Sequence, residues 1–308
     1  MQIETSPLIS VVIPTYNHAD FLKVAISSVI EQTYQNFEIV IVDNNSNDHT
    51  NEVVNSFNDD RIQLHKIDNK GVIAASRNLG VDHAKGDWIA YLDSDDNWYP
   101  SRLRCLVDAM HGDSKCDVIS NDEYRINNLT GKKTKLIYGP VEGETYRSLL
   151  LFGNRLSTSA TLVRRGFLLK NEVRFNESSK FVTVEDFDYW LQLALLDARF
   201  KFVHSFEGEY LVHGANSSGY LERHKKNEFN LLRYHVFEVQ GFQRDKGKLW
   251  RSVQAAFLFR EAYQKLKSGS ILPFVKTLLN SIRLSPYFLG KWIFVRITFG
   301  LRNRFFFH

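Results

Sequence analysis

The chain has 308 residues, of which 44% are hydrophobic and 24% charged, the balance of a soluble globular protein and not of a disordered or membrane-spanning one. Its 39 Lys and Arg against 35 Asp and Glu leave a net charge of +4, which by itself implies no polyanionic partner. The charge is unevenly placed, because residues 265–308 carry eight Lys or Arg and no Asp or Glu, so the body is mildly acidic and the tail basic.

Residues 8–14, LISVVIP, form a β-branched run ending in Pro and predict a buried strand. In 20–33 the apolar residues recur at 21, 22, 25, 26, 29 and 30, the spacing of a helix with one buried stripe. FEIVIVD (37–43) predicts a second strand, 48–57 a second helix and the alternating RIQLHKI (61–67) a further strand. GVIAASRNLGVDHA (71–84) is helical with small residues for close packing, and DWIAYLD (87–93) is the next strand. Strands alternating with helices at this interval predict a mainly parallel sheet with helices on both faces. A helix begins near Pro100. Residues 122–147 read as loops and short strands, 184–198 as a helix and 207–220 as a strand followed by a polar turn. The stretch from 221 to 267 is helical and polar, and 271–308 helical, basic and aromatic. The expected division is a nucleotide-binding and catalytic domain over 1–220 and a helical extension over 221–308.

In sheets of this kind ligands bind outside the carboxyl ends of the strands. Three polar clusters fall there: TYN after the first strand, DNNSND after the second and DSDD after the fourth. Neither G-x-G-x-x-G nor G-x-x-x-x-G-K-[ST] occurs, so a dinucleotide or P-loop site has no support. Asp93, Asp95 and Asp96 crowd three carboxylates into four residues. A calcium loop is excluded, since its sixth position would be Trp98 and its twelfth Arg104. An exposed acidic turn is one reading. A divalent ion holding a diphosphate is the other, because hard carboxylate oxygens suit Mg2+ or Mn2+.

The segments VVIPTYN, VDNNSND, GVIAASRNLG, IAYLDSDD and VEDFDYWLQLA, in this order and spacing, resemble the family 2 glycosyltransferases with the Rossmann-like GT-A fold. The resemblance covers about residues 8–220. It implies inverting transfer of a sugar from a nucleoside diphosphate donor to an acceptor hydroxyl, with Mn2+ or Mg2+ as cofactor. It further implies that Asp93 and Asp95 form the D-x-D pair, with Asp96 as a further metal ligand. Pro14, Thr15, Tyr16, Asp43, Asn44 and Arg77 fall where the family holds base, ribose and phosphates. The family usually has a second acid in place of Asn44 and Gly in place of Asn45. An Asn oxygen can still accept from uracil N3–H, so UDP stays the favoured donor nucleotide.

Inverting transfer needs a base for the acceptor proton. Glu185, Asp186 and Asp188 are the candidates, although acids in a first helical turn also favour the helix dipole, with Thr183 as an expected N-cap. The resemblance selects Asp186 as base, with Glu185 orienting it or touching the sugar. It also marks His213, in LVHGANSSG, as a metal or diphosphate contact. The D-x-D strand end also occurs in haloacid-dehalogenase-like phosphatases, but there it opens the domain, whereas here it ends the fourth strand. A sugar-nucleotide-binding protein without catalysis is a further alternative, opposed by the presence of both Asp95 and Asp186.

Only two cysteines occur, Cys105 and Cys116, without metal-ligand spacing, which suits a reducing compartment. No secretory signal and no apolar run of about 18 residues is seen, so the expectation is a cytoplasmic protein. Residues 286–308, rich in aromatics and Lys/Arg, are expected to touch the inner membrane surface, in keeping with a glycan or lipid-linked acceptor; a C-terminal helix packed on the body is the alternative. Nucleic acid is not an expected partner, because the basic stretch is apolar-rich and the body acidic.

Overall fold

The computed structural model describes residues 6–113, 115–139, 144–212, 221–286 and 290. The chain folds into two compact units, one of Met1–Pro140 with Leu156–Leu221, the other of Val141–Arg155 with Glu222–His308.

The first unit is organised by a nine-stranded sheet. Its strands are β1 (Ile9–Thr15), β2 (Phe37–Asp43), β3 (Ile62–Lys66), β4 (Trp88–Tyr91), β5 (Asn97–Trp98), β6 (Val118–Asn127), β7 (Lys133–Leu136), β8 (Thr161–Arg164) and β9 (Phe200–Val212). Their order across the sheet is β3-β2-β1-β4-β8-β6-β9-β5, with β7 added to β6. Strands β3, β2, β1 and β4 pair in parallel, whereas β8 joins β4 and β6 antiparallel and β9 runs parallel to β6.

Every residue of β1 and of β2 is buried, as expected of strands covered on both faces, which read as continuous apolar runs and not as alternation. The carboxylate of Glu38, early in β2, accepts from Ser10 Oγ at 2.6 Å, the Lys85 amide at 2.6 Å and Gln63 Nε2 at 3.1 Å. A buried charge is tolerated when its oxygens are satisfied in this way. Helices α1 (Ala19–Ile30) and α2 (Thr50–Ser56) lack a capping side chain at their own N-caps, His18 and His49. Asp48 serves both: it accepts from the Ala19 amide at 3.0 Å and from the Thr50 amide at 3.1 Å. Desolvation would raise its pKa, but the bonds from Thr50 and Ala19 hold it below the usual carboxylate range. The loops after β1 and β2 are thereby stitched into one edge.

Helix α3 (Ile73–His83) packs against β1 where Gly80 meets Val12. Helices α4 (Arg102–His111), α6 (Arg165–Asn171) and α7 (Glu185–Leu195) complete the unit. One expectation needs correction. The loops and short strands expected over 122–147 contain most of β6, a ten-residue strand inside the sheet. Its Asn121, Asp122 and Glu123 are buried polar residues that break the apolar run yet find partners only in the fold. The stretch between them and α7 also supplies β8 and α6, which no periodicity announces.

The second unit is helical: α5 (Thr145–Phe152), α8 (Leu221–Tyr234), a π-helical turn at His235–Val239, α9 (Lys246–Lys267) and α10 (Ile271–Leu284). Tyr146 Oη and His235 Nδ1 lie 3.0 Å apart in its interior, and Asp245 caps α9 by accepting from the Lys248 amide at 2.8 Å. Among the described residues no helix is long and apolar enough to cross a membrane.

A Cβ on Gly80 would stand 2.3 Å from Val12 Cγ1, a branched side chain with no room to turn away. Gly80→Leu should therefore lower stability by about 3 kcal/mol through overpacking between α3 and β1, read by denaturant unfolding.

Candidate active site

The carboxyl ends of β1 and β2 meet at Thr15 and Asp43, which are register partners in the parallel ladder. Asp43 is fully buried; its Oδ1 accepts from the Ser46 amide at 2.9 Å and Ser46 Oγ at 2.5 Å. Its Oδ2 has no hydrogen-bond partner, with Lys66 Nζ 3.9 Å away, and the buried Thr15 Oγ1 has none either. Unpaired buried oxygens cost free energy, and these two belong to register partners at the ends of adjacent strands. Pro14 is buried beneath this edge, and Tyr16 projects from it with 54% of its surface exposed. Asn44 Oδ1 accepts from the Asn69 amide at 2.8 Å, so that oxygen already ties down the loop after β3. Asn45, where the family has Gly, adopts φ +52°, a left-handed conformation that Asn tolerates better than most side chains.

The acidic loop after β4 is joined to α7 by one buried cation. Arg77, on α3, donates from Nη2 to Asp93 Oδ1 at 2.8 Å and from Nη1 to Glu185 Oε1 at 2.9 Å. Burial would lower its pKa, but the charges of Asp93 and Glu185 outweigh that and hold it above the ordinary arginine range. Asp186 contributes in the same direction. Glu185 Oε2 is buried without a hydrogen-bond partner.

Asp96 is placed differently from its neighbours. It is 2% exposed; its Oδ2 accepts from Ser159 Oγ at 2.5 Å and its Oδ1 from the Leu211 amide of β9 at 3.0 Å. Burial first, then the charges of Asp95, Glu123 and Asp93, push its carboxyl well above the usual range. Asp93 and Asp95 are half-buried. Thr158 Oγ1 donates to Asp93 Oδ2 at 3.1 Å, Ser159 Oγ accepts from the Asp93 amide at 3.1 Å, and the Ser159 carbonyl accepts from Trp98 Nε1 at 2.8 Å. Sequence reasoning missed this brace; its only trace is the cluster of small hydroxyl residues Ser157, Thr158, Ser159 and Thr161.

Glu123 lies beneath the same loop, where burial pushes its carboxyl up to about 7 against the hydrogen bond from Tyr138 Oη at 3.0 Å. Arg102, fully buried, stacks 3.8 Å from the Trp98 ring centroid and donates from Nε to Asn121 Oδ1 at 3.0 Å. Burial lowers its pKa to about 9, opposed by Glu123 and Glu207.

Helix α7 opens with Val184, not Thr183, at the N-cap and without a side-chain capping bond. Thr183 instead takes φ +76°, a costly conformation for a β-branched residue immediately before the acidic turn. Asp188 is buried and accepts from Gln192 Nε2 at 2.6 Å, whereas Asp186 is only half-buried, its Oδ1 accepting from the Phe187 amide at 2.7 Å. His213 lies outside the described residues, as do residues 287–289 and 291–308 of the basic tail. Among the described residues no group of three His, Cys, Asp or Glu side chains is arranged to hold a metal. Two half-buried carboxylates, Asp93 and Asp95, nevertheless fit Mg2+ or Mn2+, which take one or two protein carboxylates and complete their shells with phosphate and water.

An α/β sheet with an acidic loop and a helix-borne carboxylate on its carboxyl edge is the GT-A arrangement of sugar-transferring enzymes. The profile of Glycosyl transferase family 2 matches residues 10–171, over half of the chain, and the chain belongs to that family. It is 26% identical over 324 aligned positions to an uncharacterized glycosyltransferase of Rickettsia typhi, covering 97% of this chain and 98% of the relative. It is 26% identical over 230 positions to the Escherichia coli UDP-Glc:alpha-D-GlcNAc-diphosphoundecaprenol beta-1,3-glucosyltransferase WfaP, covering 73% and 86%. Its fold is similar to the crystal structure of S. aureus TarS 1–349 in complex with UDP-GlcNAc, with a TM-score of 0.62, 16% identity and 92% of each chain covered.

Arg77→Met would leave the Glu185 and Asp93 carboxylates without their shared counter-ion and should cost about 3–5 kcal/mol, measured by denaturant unfolding. Glu123 has a folded pKa near 7 against an ordinary 4.5, so folding retains its proton and wild-type stability falls as pH rises between those values. Glu123→Gln should remove that loss, gaining about 1–3 kcal/mol over wild type at pH above 7 and little at acid pH, compared by melting at both.

Proposed function

We propose that this glycosyltransferase moves a sugar, with inversion, from a nucleoside diphosphate donor to an acceptor hydroxyl of a lipid-linked or cell-surface glycan. UDP is the favoured donor nucleotide and Mn2+ or Mg2+ the cofactor. The observation that carries this reading is the buried Arg77 bridge, which brings the acidic loop at Asp93 and the start of α7 at Glu185 to one place. The name of the E. coli relative, with its UDP-Glc donor and diphosphoundecaprenol-linked acceptor, supports the donor and the acceptor class.

In this reading Thr15 Oγ1 and Asp43 Oδ2 take hydrogen bonds from the nucleoside, and the exposed Tyr16 ring covers it. Asn44 acts indirectly, by holding the Asn69 loop. Asp93 and Asp95 would hold the divalent ion, which would offset the charge of the departing diphosphate. Asp96, buried with its oxygens on Ser159 and the Leu211 amide, anchors the loop, whereas the half-buried Asp93 is oriented for the ion by Arg77 and Thr158. Arg77 positions Asp93 and Glu185; its Nε is buried without a hydrogen-bond partner. His213 is assigned to the diphosphate or the ion, and residues 286–308 to a membrane surface, on their sequence alone.

The acceptor hydroxyl gives its proton to the Asp186 carboxylate as its oxygen attacks the anomeric carbon from the side opposite the diphosphate. The carbon–oxygen bond to the diphosphate breaks, the electron pair leaves with it and the anomeric configuration inverts. Glu185, held by Arg77, keeps the first turn of α7 in register for this step.

Asp186→Asn should reduce transfer by roughly 100-fold or more, followed as nucleoside diphosphate release, while donor affinity by calorimetry changes little. Asp95→Asn should instead weaken Mn2+-dependent donor binding. Full transfer by the Asp186 variant would overturn its assignment as base, and failure of wild type with a panel of UDP-, GDP- and dTDP-sugars would overturn the donor class.

A further inference from the structure

Helix α10 leaves a wide aliphatic arc facing outward. The side facing α9 is mixed: Ser281 Oγ donates to the Ala255 carbonyl at 2.7 Å and Thr277 Oγ1 accepts from Lys265 Nζ at 2.9 Å, with Phe274 and Leu278 half-buried beside them. Both residues are buried. Ile271, Leu272, Val275, Leu279 and Ile282 are exposed, Leu272 to 83%. At 3.6 residues per turn these five fall within one arc of about 100° along the helix. An amphipathic helix serving only its own unit would turn such an arc inward, so a contiguous aliphatic stripe in water marks a contact surface.

The rim of the stripe identifies what it meets. Lys276 and Arg283 are exposed along one border, and from 265 to 308 the chain has no acidic residue. A two-fold contact between copies would set this patch on itself, basic rim against basic rim. An anionic bilayer matches both features, aliphatic side chains entering the acyl boundary and cations meeting lipid phosphates. The helix, about 21 Å long, lies along such a surface and does not span it. Pro273 sits in its first turn, where a missing amide proton costs nothing.

We infer that the exposed face of α10 docks the protein on an anionic membrane surface. The inference rests on the membrane partner proposed above, which it moves from the basic tail to a structured element, and it is independent of the donor and of the transfer chemistry.

The test is vesicle flotation of the full chain with phosphatidylcholine alone and with about 30% phosphatidylglycerol added. Wild type should float with the anionic vesicles only, and less so in high salt. Leu272→Glu with Leu279→Glu should lower the bound fraction roughly tenfold or more. Leu272→Ser with Leu279→Ser should lower it too, which separates lost apolar contact from added charge. Both pairs are exposed, so unchanged circular dichroism and melting are expected. Absence of wild-type flotation, or equal flotation of both double variants and wild type, overturns the inference. So does a wild-type dimer that becomes a monomer in the variants without vesicle binding, which would assign the face to a second copy. Donor binding measured in parallel reports on the transfer reading separately.

Discussion

A single buried guanidinium holds the site together. Arg77 reaches from a helix on the sheet to the acidic loop after β4 in one direction and to the first turn of α7 in the other. The two carboxylates it joins are 108 residues from Arg77 in one case and 16 in the other, so the contact exists only once the sheet is assembled. Its energetic character is double-edged. Desolvating three charges is costly, and the pairing offsets that cost without guaranteeing a surplus. What it does secure is geometry, because each charge is expensive to leave alone and so none can wander.

A second network restrains the acidic loop from below. Thr158 and Ser159 bond to Asp93 and Asp96, and Ser159 also ties down the Trp98 indole. Asp96 passes that restraint on to β9 through the Leu211 amide. The loop is therefore fixed by hydroxyls and a backbone amide, which leaves Asp93 and Asp95 half-buried while Asp96 is consumed in support. Glu123 and Arg102 sit deeper, each with its charge disfavoured by burial, one pushed up and the other down. Such groups make the fold beneath the site sensitive to pH, and the surrounding polar residues of β6 account for its poor legibility as a strand.

The second unit follows other rules. Its interior is held by packing along α9, by the Tyr146–His235 pair and by an Arg260–Glu228 ion pair. Its last described helix departs from the usual pattern by leaving an aliphatic arc exposed while burying Thr277 and Ser281. Periodicity alone would have sent that apolar arc into the core, since the arc is regular and continuous.

Much was legible in the chain order. The runs at 8–14 and 37–43 became β1 and β2 with boundaries shifted by at most one residue, because strands buried on both faces read as near-continuous apolar runs. The polar clusters that follow them lie on the carboxyl edge, since parallel pairing brings all those ends together. Beyond residue 117 the reading failed where burial was polar: Asn121, Asp122 and Glu123 look like loop residues until Arg102, Tyr138 and the neighbouring strands are in place. Likewise Thr183 has the composition of a cap, yet the chain bends there with positive φ and Val184 takes the position. By itself, then, the sequence determined the α/β class, the parallel core and which acids gather at its edge, because these follow from local apolar patterning and strand direction. The tertiary structure alone decided which of those acids stay half-buried, which are pinned by Arg77 or Ser159, and which way α10 faces. Those outcomes depend on partners far apart in the chain, and no local pattern encodes them.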